Sequence, residues 1–231
     1  MAQHFSFSQV VMAIARGRFT YFLTFMLLLI LVFPFLETSV YGPPIIQVIY
    51  SFLFISALYA VSQNLWVFRI GILLLVAGLL THWWIILTLS TISVVVGITC
   101  EIIFFCFIGL SVLLHVFGHE RVSGDTIAGA ICVFLLIGII WTLVYQTIHF
   151  FDPKAFHNIA AGSFGPAATV DLVYYSFATL TTLGYGDITP IAKSARMFAV
   201  TEAMVGQIYL TVLVARLVGL YAPGRDSRAG Q

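Results

Sequence analysis

The sequence predicts an all-α membrane protein with six transmembrane helices and one re-entrant half-length helix, on three observations. Hydrophobic residues make up 61% of the 231 residues and charged residues only 8%, and a soluble domain cannot cover that much apolar surface with so few charges. The apolar residues fall in long runs separated by short polar turns. One apolar segment, Thr169 to Thr181, is too brief to cross a bilayer, for which about 20 residues are needed. The formal net charge of +1 leaves no basic patch to neutralise phosphates, so nucleic acid is excluded as a partner. Cys100, Cys106 and Cys132 all lie inside apolar runs. There a thiol serves as a small hydrophobic side chain, and neither a disulfide framework nor a paired-thiol metal site is expected.

Taken in order, the first helix spans Phe19 to Leu36, behind Arg16-Gly17-Arg18. Its apolar run is longer than a secretory signal core and no small-residue cleavage site follows, so it is read as a retained span. The turn Tyr41-Gly42-Pro43-Pro44 opens the second helix, which ends near Ser62-Gln63-Asn64. Leu65 to Gly118 holds two more helices. The break between them falls either at His82-Trp83-Trp84, as a membrane interface, or near Ser90-Thr91. The earlier break would leave Phe107 to Phe117 lying along the inner surface. The fifth helix covers Asp125 to Ile148, after the polar loop Gly118 to Gly124, and the last covers Ala195 to Leu220. With six crossings both termini share one side. Assigning Arg16, Arg18, Arg69, Arg121, Arg216, Arg225 and Arg228 to the cytoplasm leaves Lys154, Lys193 and Arg196 outside, in keeping with the positive-inside rule.

The chemistry concentrates in Thr181-Thr182-Leu183-Gly184-Tyr185-Gly186-Asp187, between the half-length helix and the last span. Non-helical backbone at membrane depth is tolerated only when protein buries it or when it lines a watery path. Glycines at alternating positions admit backbone angles that other residues disfavour, so successive carbonyls can point to one side. Such a stack is a ladder of oxygen ligands for a cation losing its water. The bland alternative is a glycine turn between two helices.

This segment resembles the signature of the potassium channel family, Thr-Val-Gly-Tyr-Gly followed by Asp. The flanks agree: Asp171 to Thr181 resembles that family's pore helix, its negative end aimed at the cation path, and Pro190, Arg196 and Gly206 fall where the family has its outer mouth and inner helix. The close resemblance covers Asp125 to Tyr221. It implies a homotetrameric channel, each chain bringing its lipid-embedded helices and one pore loop, with three further identical subunits as partners, K+ as the transported ion and no cofactor. The implied layout is a cytoplasmic segment 1–18, a four-helix membrane domain 19–120, a pore domain 125–221 and a short cytoplasmic tail 222–231, in the cytoplasmic (plasma) membrane. The short tail leaves no room for a large regulatory module.

Residue by residue, the resemblance implies K+ sites at the carbonyls of Thr182, Leu183, Gly184 and Tyr185 and the Thr182 hydroxyl. It turns the Tyr185 ring away from the ions, makes Gly186 part of the filter and ties Asp187 at the outer mouth to the pore helix. Tyr174, Tyr175 and Thr181 support the filter. Three departures stand out: Leu183 replaces the signature Val, Tyr174 and Tyr175 replace tryptophans of several members, and Ala178 replaces a carboxylate that some bacterial members hold behind the filter. In the last helix Gly206 is either a hinge or a close-packing glycine. Gln207, Leu210, Val214 and Val218 form the stripe that the family turns toward the cavity or gate. Glu101 and Glu202 are intramembrane carboxylates and so functional candidates, although Glu202 also fits as a neutral or hydrogen-bonded carboxyl packed behind the pore helix. Between Phe19 and Glu120 the one Lys or Arg is Arg69, so no arginine ladder and no arginine-based voltage sensor are expected.

Other readings compete. A non-selective cation channel, or a non-conducting or transporter-like subunit, fits the same architecture. A membrane metalloenzyme would use His115 and His119, which share a helical face. The glutamate that metalloprotease chemistry needs directly after the first histidine is missing, and no third ligand is evident. The chain is therefore not expected to be an enzyme or to hold a metal other than K+.

Overall fold

The computed structural model describes residues 17–36, 42–62, 65–88, 90–118, 123–159 and 166–221. His119, Glu120, Arg16, Arg121 and the tail 222–231 lie outside them. The described chain is helical: α1 (Arg18–Leu36), α2 (Gly42–Ala60), α3 (Leu65–Thr88), α4 (Thr91–Gly118), α5 (Gly124–Phe151), the half-length α6 (Pro166–Leu180) and α7 (Lys193–Tyr221). Two short strands, β1 (Phe156–His157) and β2 (Thr189–Pro190), pair antiparallel on either side of α6 in the chain.

Among the described residues, four helices are long and apolar enough to cross a membrane: α1, α4, α5 and Lys193–Gly219 of α7. Val48–Ala60 of α2 and Leu65–Thr81 of α3 are shorter apolar stretches.

The ambiguous break between α3 and α4 falls at Ser90. Its hydroxyl accepts the Ser93 N–H at 3.2 Å while Ser93 Oγ accepts the Ser90 N–H at 3.1 Å. This reciprocal cap satisfies two of the otherwise orphaned donors at a helix start. His82-Trp83-Trp84 therefore lie inside α3. Phe107 to Phe117 do not lie apart as a surface helix; they continue α4, with Ile108, Val112 and Val116 buried. The same device starts α5, where Ser123 and Thr126 cap each other. Asp125, in that first turn, also accepts the Phe19 N–H at 3.1 Å, so one carboxylate joins the starts of α1 and α5.

One continuous apolar core runs from Phe19, Phe22 and Met26 of α1 through Phe54 of α2 and Phe104 and Phe105 of α4 to Leu136 of α5. Stacking of Phe54 on Phe104, with centroids 4.6 Å apart, anchors its middle. Glu101 lies buried beside these rings, with the Tyr50 side chain as hydrogen-bond partner. A second cluster wraps α6: Tyr145 of α5, Phe156 of β1, Leu172 and Tyr175 of α6, Ile188, and Ala195 of α7. The first core holds α1 to α4 against α5, and the second holds α6 between α5 and α7.

Candidate functional site

The half-length helix α6 sets the position of the loop that follows it. Leu183 N–H reaches back to the Ala178 carbonyl at 2.8 Å and Thr182 N–H to the Thr179 carbonyl at 2.9 Å. This pair of bonds closes a helix when the residue between them is left-handed, and Thr182 has φ 58°. Glycine usually takes that position because a β-branched side chain is strained there. The left-handed angle then recurs at every second residue, with φ 53° at Gly184 and 81° at Gly186. Backbone that alternates between positive and negative φ can turn successive carbonyls toward the same side, and glycine adopts the positive angle most freely. Residues 181–187 are all exposed in the single chain, Tyr185 by 70%.

Beyond the loop the chain is tied down by side-chain and backbone contacts. Tyr174 Oη donates to Asp187 Oδ2 at 2.8 Å, and Asn158 Nδ2 donates to the Asp187 carbonyl at 3.2 Å. The Tyr174 hydroxyl, with help from the backbone N–H groups of Ile188 and Asp187, holds the Asp187 carboxyl below the usual carboxylate range, and the Tyr174 phenol is raised in turn. The strand pair places His157 opposite Thr189, and Ala155 accepts the N–H groups of Ile191 and Ala192. Arg196 Nε donates to the Pro190 carbonyl at 3.1 Å.

The two tyrosines separate in role. Tyr174 bonds Asp187, whereas Tyr175 is buried edge-on to Tyr145 at 5.0 Å and Phe156 at 5.3 Å. Thr181 Oγ1 bonds back to Phe177 within α6, and the Ala178 carbonyl receives the N–H groups of Leu183 and Gly184.

In α7 a Cβ on Gly206 would sit 2.4 Å from the Leu180 carbonyl oxygen. The missing side chain therefore lets α7 approach the end of α6, which makes Gly206 a close-packing glycine. Ala195, Glu202, Gly206 and Tyr209 form the buried stripe of α7; Gln207, Leu210, Val214 and Val218 are all exposed. Glu202 is fully buried, its carboxyl between Tyr145 Oη at 2.6 Å and Ser176 Oγ at 2.5 Å.

Sequence reasoning overlooked Tyr145, Ser176 and Asn158. The only signal for the first two is a polar tip among apolar neighbours. His115 packs edge-on to Phe19 at 5.3 Å, and among the described residues no group of three His, Cys, Asp or Glu side chains is placed to hold a metal.

Comparison with known proteins supports a channel. The family model described as "Ion channel" matches residues 133–222. A two-pore potassium channel c of Oryza sativa subsp. japonica is 36% identical over 59 residues, which is 26% of this chain and 12% of that protein. The voltage-gated potassium channel Kch of Escherichia coli is 26% identical over 121 residues, 52% of this chain and 25% of that protein. Two-pore potassium channel 4 of Arabidopsis thaliana is 27% identical over 99 residues, 43% of this chain and 34% of that protein. The chain thus spans about a third or less of these relatives' length. No solved structure matches the chain.

Proposed function

We propose that this member of the potassium channel family conducts K+ passively across the plasma membrane through a pore that four copies of the chain build together. The observation that carries the reading is the left-handed backbone at Thr182, Gly184 and Gly186, in a loop that continues the end of a half-length helix. That alternation supports stacked K+ sites at the carbonyls of Thr182, Leu183, Gly184 and Tyr185 and the Thr182 hydroxyl, replacing the ion's water. The partial negative charge at the end of α6 favours a cation at the same place. Gly186 and Asp187 close the filter on its outer side, held through Tyr174.

Tetramerisation follows from the count of loops. One loop per chain gives one wall of a filter, and a closed ring needs identical walls related by rotation. Exposure of the loop and of Gln207, Leu210, Val214 and Val218 in the single chain fits a surface that faces copies and a central cavity. The reading places α2 and α3 as further spans, making six, with both termini cytoplasmic.

The relative named voltage-gated covers half of this chain. Here, however, α4 carries no Lys or Arg along its 28 residues. Steep voltage gating needs about three to four charges per subunit, each worth about 2.3 kcal/mol per 100 mV. Opening without an arginine-based voltage sensor is therefore part of the proposal.

The test is the reversal potential of the purified protein in planar bilayers, with K+ on one side and Na+ on the other. Reversal near the K+ equilibrium potential supports the reading. Robust current reversing near zero would make the loop a non-selective pore, and steep voltage dependence would overturn the sensor argument.

A further inference from the structure

The Glu202 carboxyl sits where three oxygen contacts meet. Tyr145 Oη lies 2.6 Å from Glu202 Oε2, Ser176 Oγ lies 2.5 Å from Glu202 Oε1, and Ser176 Oγ lies 2.8 Å from the Gly138 carbonyl. Contacts this short between oxygens each need a proton, because two bare acceptors repel. Three contacts therefore need three protons. The two hydroxyls bring one each, and the Gly138 carbonyl brings none. The third belongs to Glu202.

We infer that Glu202 is a protonated carboxylic acid that holds the pore helix against its two neighbours, and so acts as a positioning residue for the filter. The selectivity part rests on the K+ filter reading above. The proton arrangement is then complete: Tyr145 donates to Oε2, Oε1–H donates to Ser176 Oγ, and Ser176 donates to the Gly138 carbonyl. The chain of bonds joins α7 to α6 and α6 to α5. A neutral acid also avoids the cost of burying a charge whose holders are hydroxyls instead of cations.

The placement explains why the filter would feel this acid. Glu202 meets Ser176, and one turn further along both helices Gly206 meets the Leu180 carbonyl. Two contacts a turn apart on α7 thus pin two points a turn apart on α6. Leu180 is the last residue of α6, and the left-handed Thr182 follows two positions later. A shift or rotation of α6 at Ser176 would be delivered directly to the filter carbonyls. Carbonyl positions, more than the presence of the loop, decide how well K+ is preferred. The chain therefore keeps an acid behind the filter on the inner helix, while the pore-helix position Ala178 has none.

Two variants of the full-length protein in liposomes test this. Glu202→Gln keeps an acceptor for Tyr145 and an N–H donor for Ser176 but carries no acid proton; Glu202→Leu keeps neither hydrogen bond. The infrared difference spectrum of wild type against E202Q should show the loss of a protonated carboxylic-acid carbonyl band. E202Q should retain the wild-type preference for K+ over Na+, whereas E202L should lower it by about tenfold. Loss of carboxylate bands instead would overturn the protonated state. Equal selectivity in E202L and wild type, or equal loss in E202Q and E202L, would overturn the positioning role. A wild type that passes K+ and Na+ alike would overturn the filter reading and the selectivity part of this inference, while the infrared band still decides the proton.

Discussion

Helices α5 and α7 flank the same half-length helix, yet the chain treats them oppositely. Of the most apolar stretch of α5, 56% is buried within the single chain; of α7, 11% is. Packing by α1, α4 and α6 around α5 leaves little of it to be covered. α7 instead spends one narrow stripe, Ala195, Glu202, Gly206 and Tyr209, on its own chain and leaves the rest open. α5 is thus a fixed post, and most of the surface of α7 is left for something outside the single chain to cover. The difference teaches that the narrow buried stripe has to carry all the positioning of α7 that one chain can give, and it does so with an acid, a close-packing glycine and a tyrosine whose hydroxyl donates to the Ala130 carbonyl.

The largest expected effect comes from filling the contact of α7 with α6. Gly206→Val puts branched carbon where a single Cβ would already lie 2.4 Å from the Leu180 carbonyl. Backbone cannot yield as a flexible side chain can, so α6 must move, at a cost of about 1–3 kcal/mol. K+ flux into liposomes should fall to background. Unchanged flux would mean that α7 does not hold α6 through this stripe.

The second test concerns the open face of α7. Met204 is 58% exposed there, and Leu73 of α3 is 68% exposed. In a background with the native cysteines replaced, Met204→Cys should cross-link chains into a ladder that ends at the tetramer, whereas Leu73→Cys should stay monomeric against lipid. Equal behaviour of the two would remove the distinction between a subunit face and a lipid face.

The smallest effect is expected at the far end of the loop, where α6 holds Asp187 without help from α7. The Tyr174 hydroxyl lowers the pKa of Asp187, so the ionised contact is present above the ordinary carboxylate range. It is lost as pH falls through that lowered value. Tyr174→Phe removes the main cause and lets the pKa of Asp187 rise. Acid inhibition of K+ current from the outer side should then begin at higher pH than in wild type, with little change at neutral pH. Identical acid profiles would show that the contact does not hold the loop.

Much of this was readable in advance where the signal is local. An apolar run declares a helix wherever it lies, because lipid or protein must cover it, and alternating glycines in the Thr182 to Gly186 segment declare unusual backbone. The break at Ser90 was one of two possibilities, since the reciprocal bonds with Ser93 involve residues that also suit a helix interior. Tyr174 and Tyr175 looked alike as neighbours; α6 turns one toward Asp187 and the other into the core.

The sequence by itself determined the all-helical, membrane-capable character, the order of the helices and the unusual loop from Thr182 to Gly186, since each is written within a stretch of consecutive residues. Tertiary structure decided what Gly206 and Glu202 do. Tyr145 and Ser176 are 57 and 26 positions from Glu202, and the Leu180 carbonyl that needs Gly206 lies on another helix. Contacts between distant positions depend on how helices cross and how closely they approach. No periodicity along one chain records that.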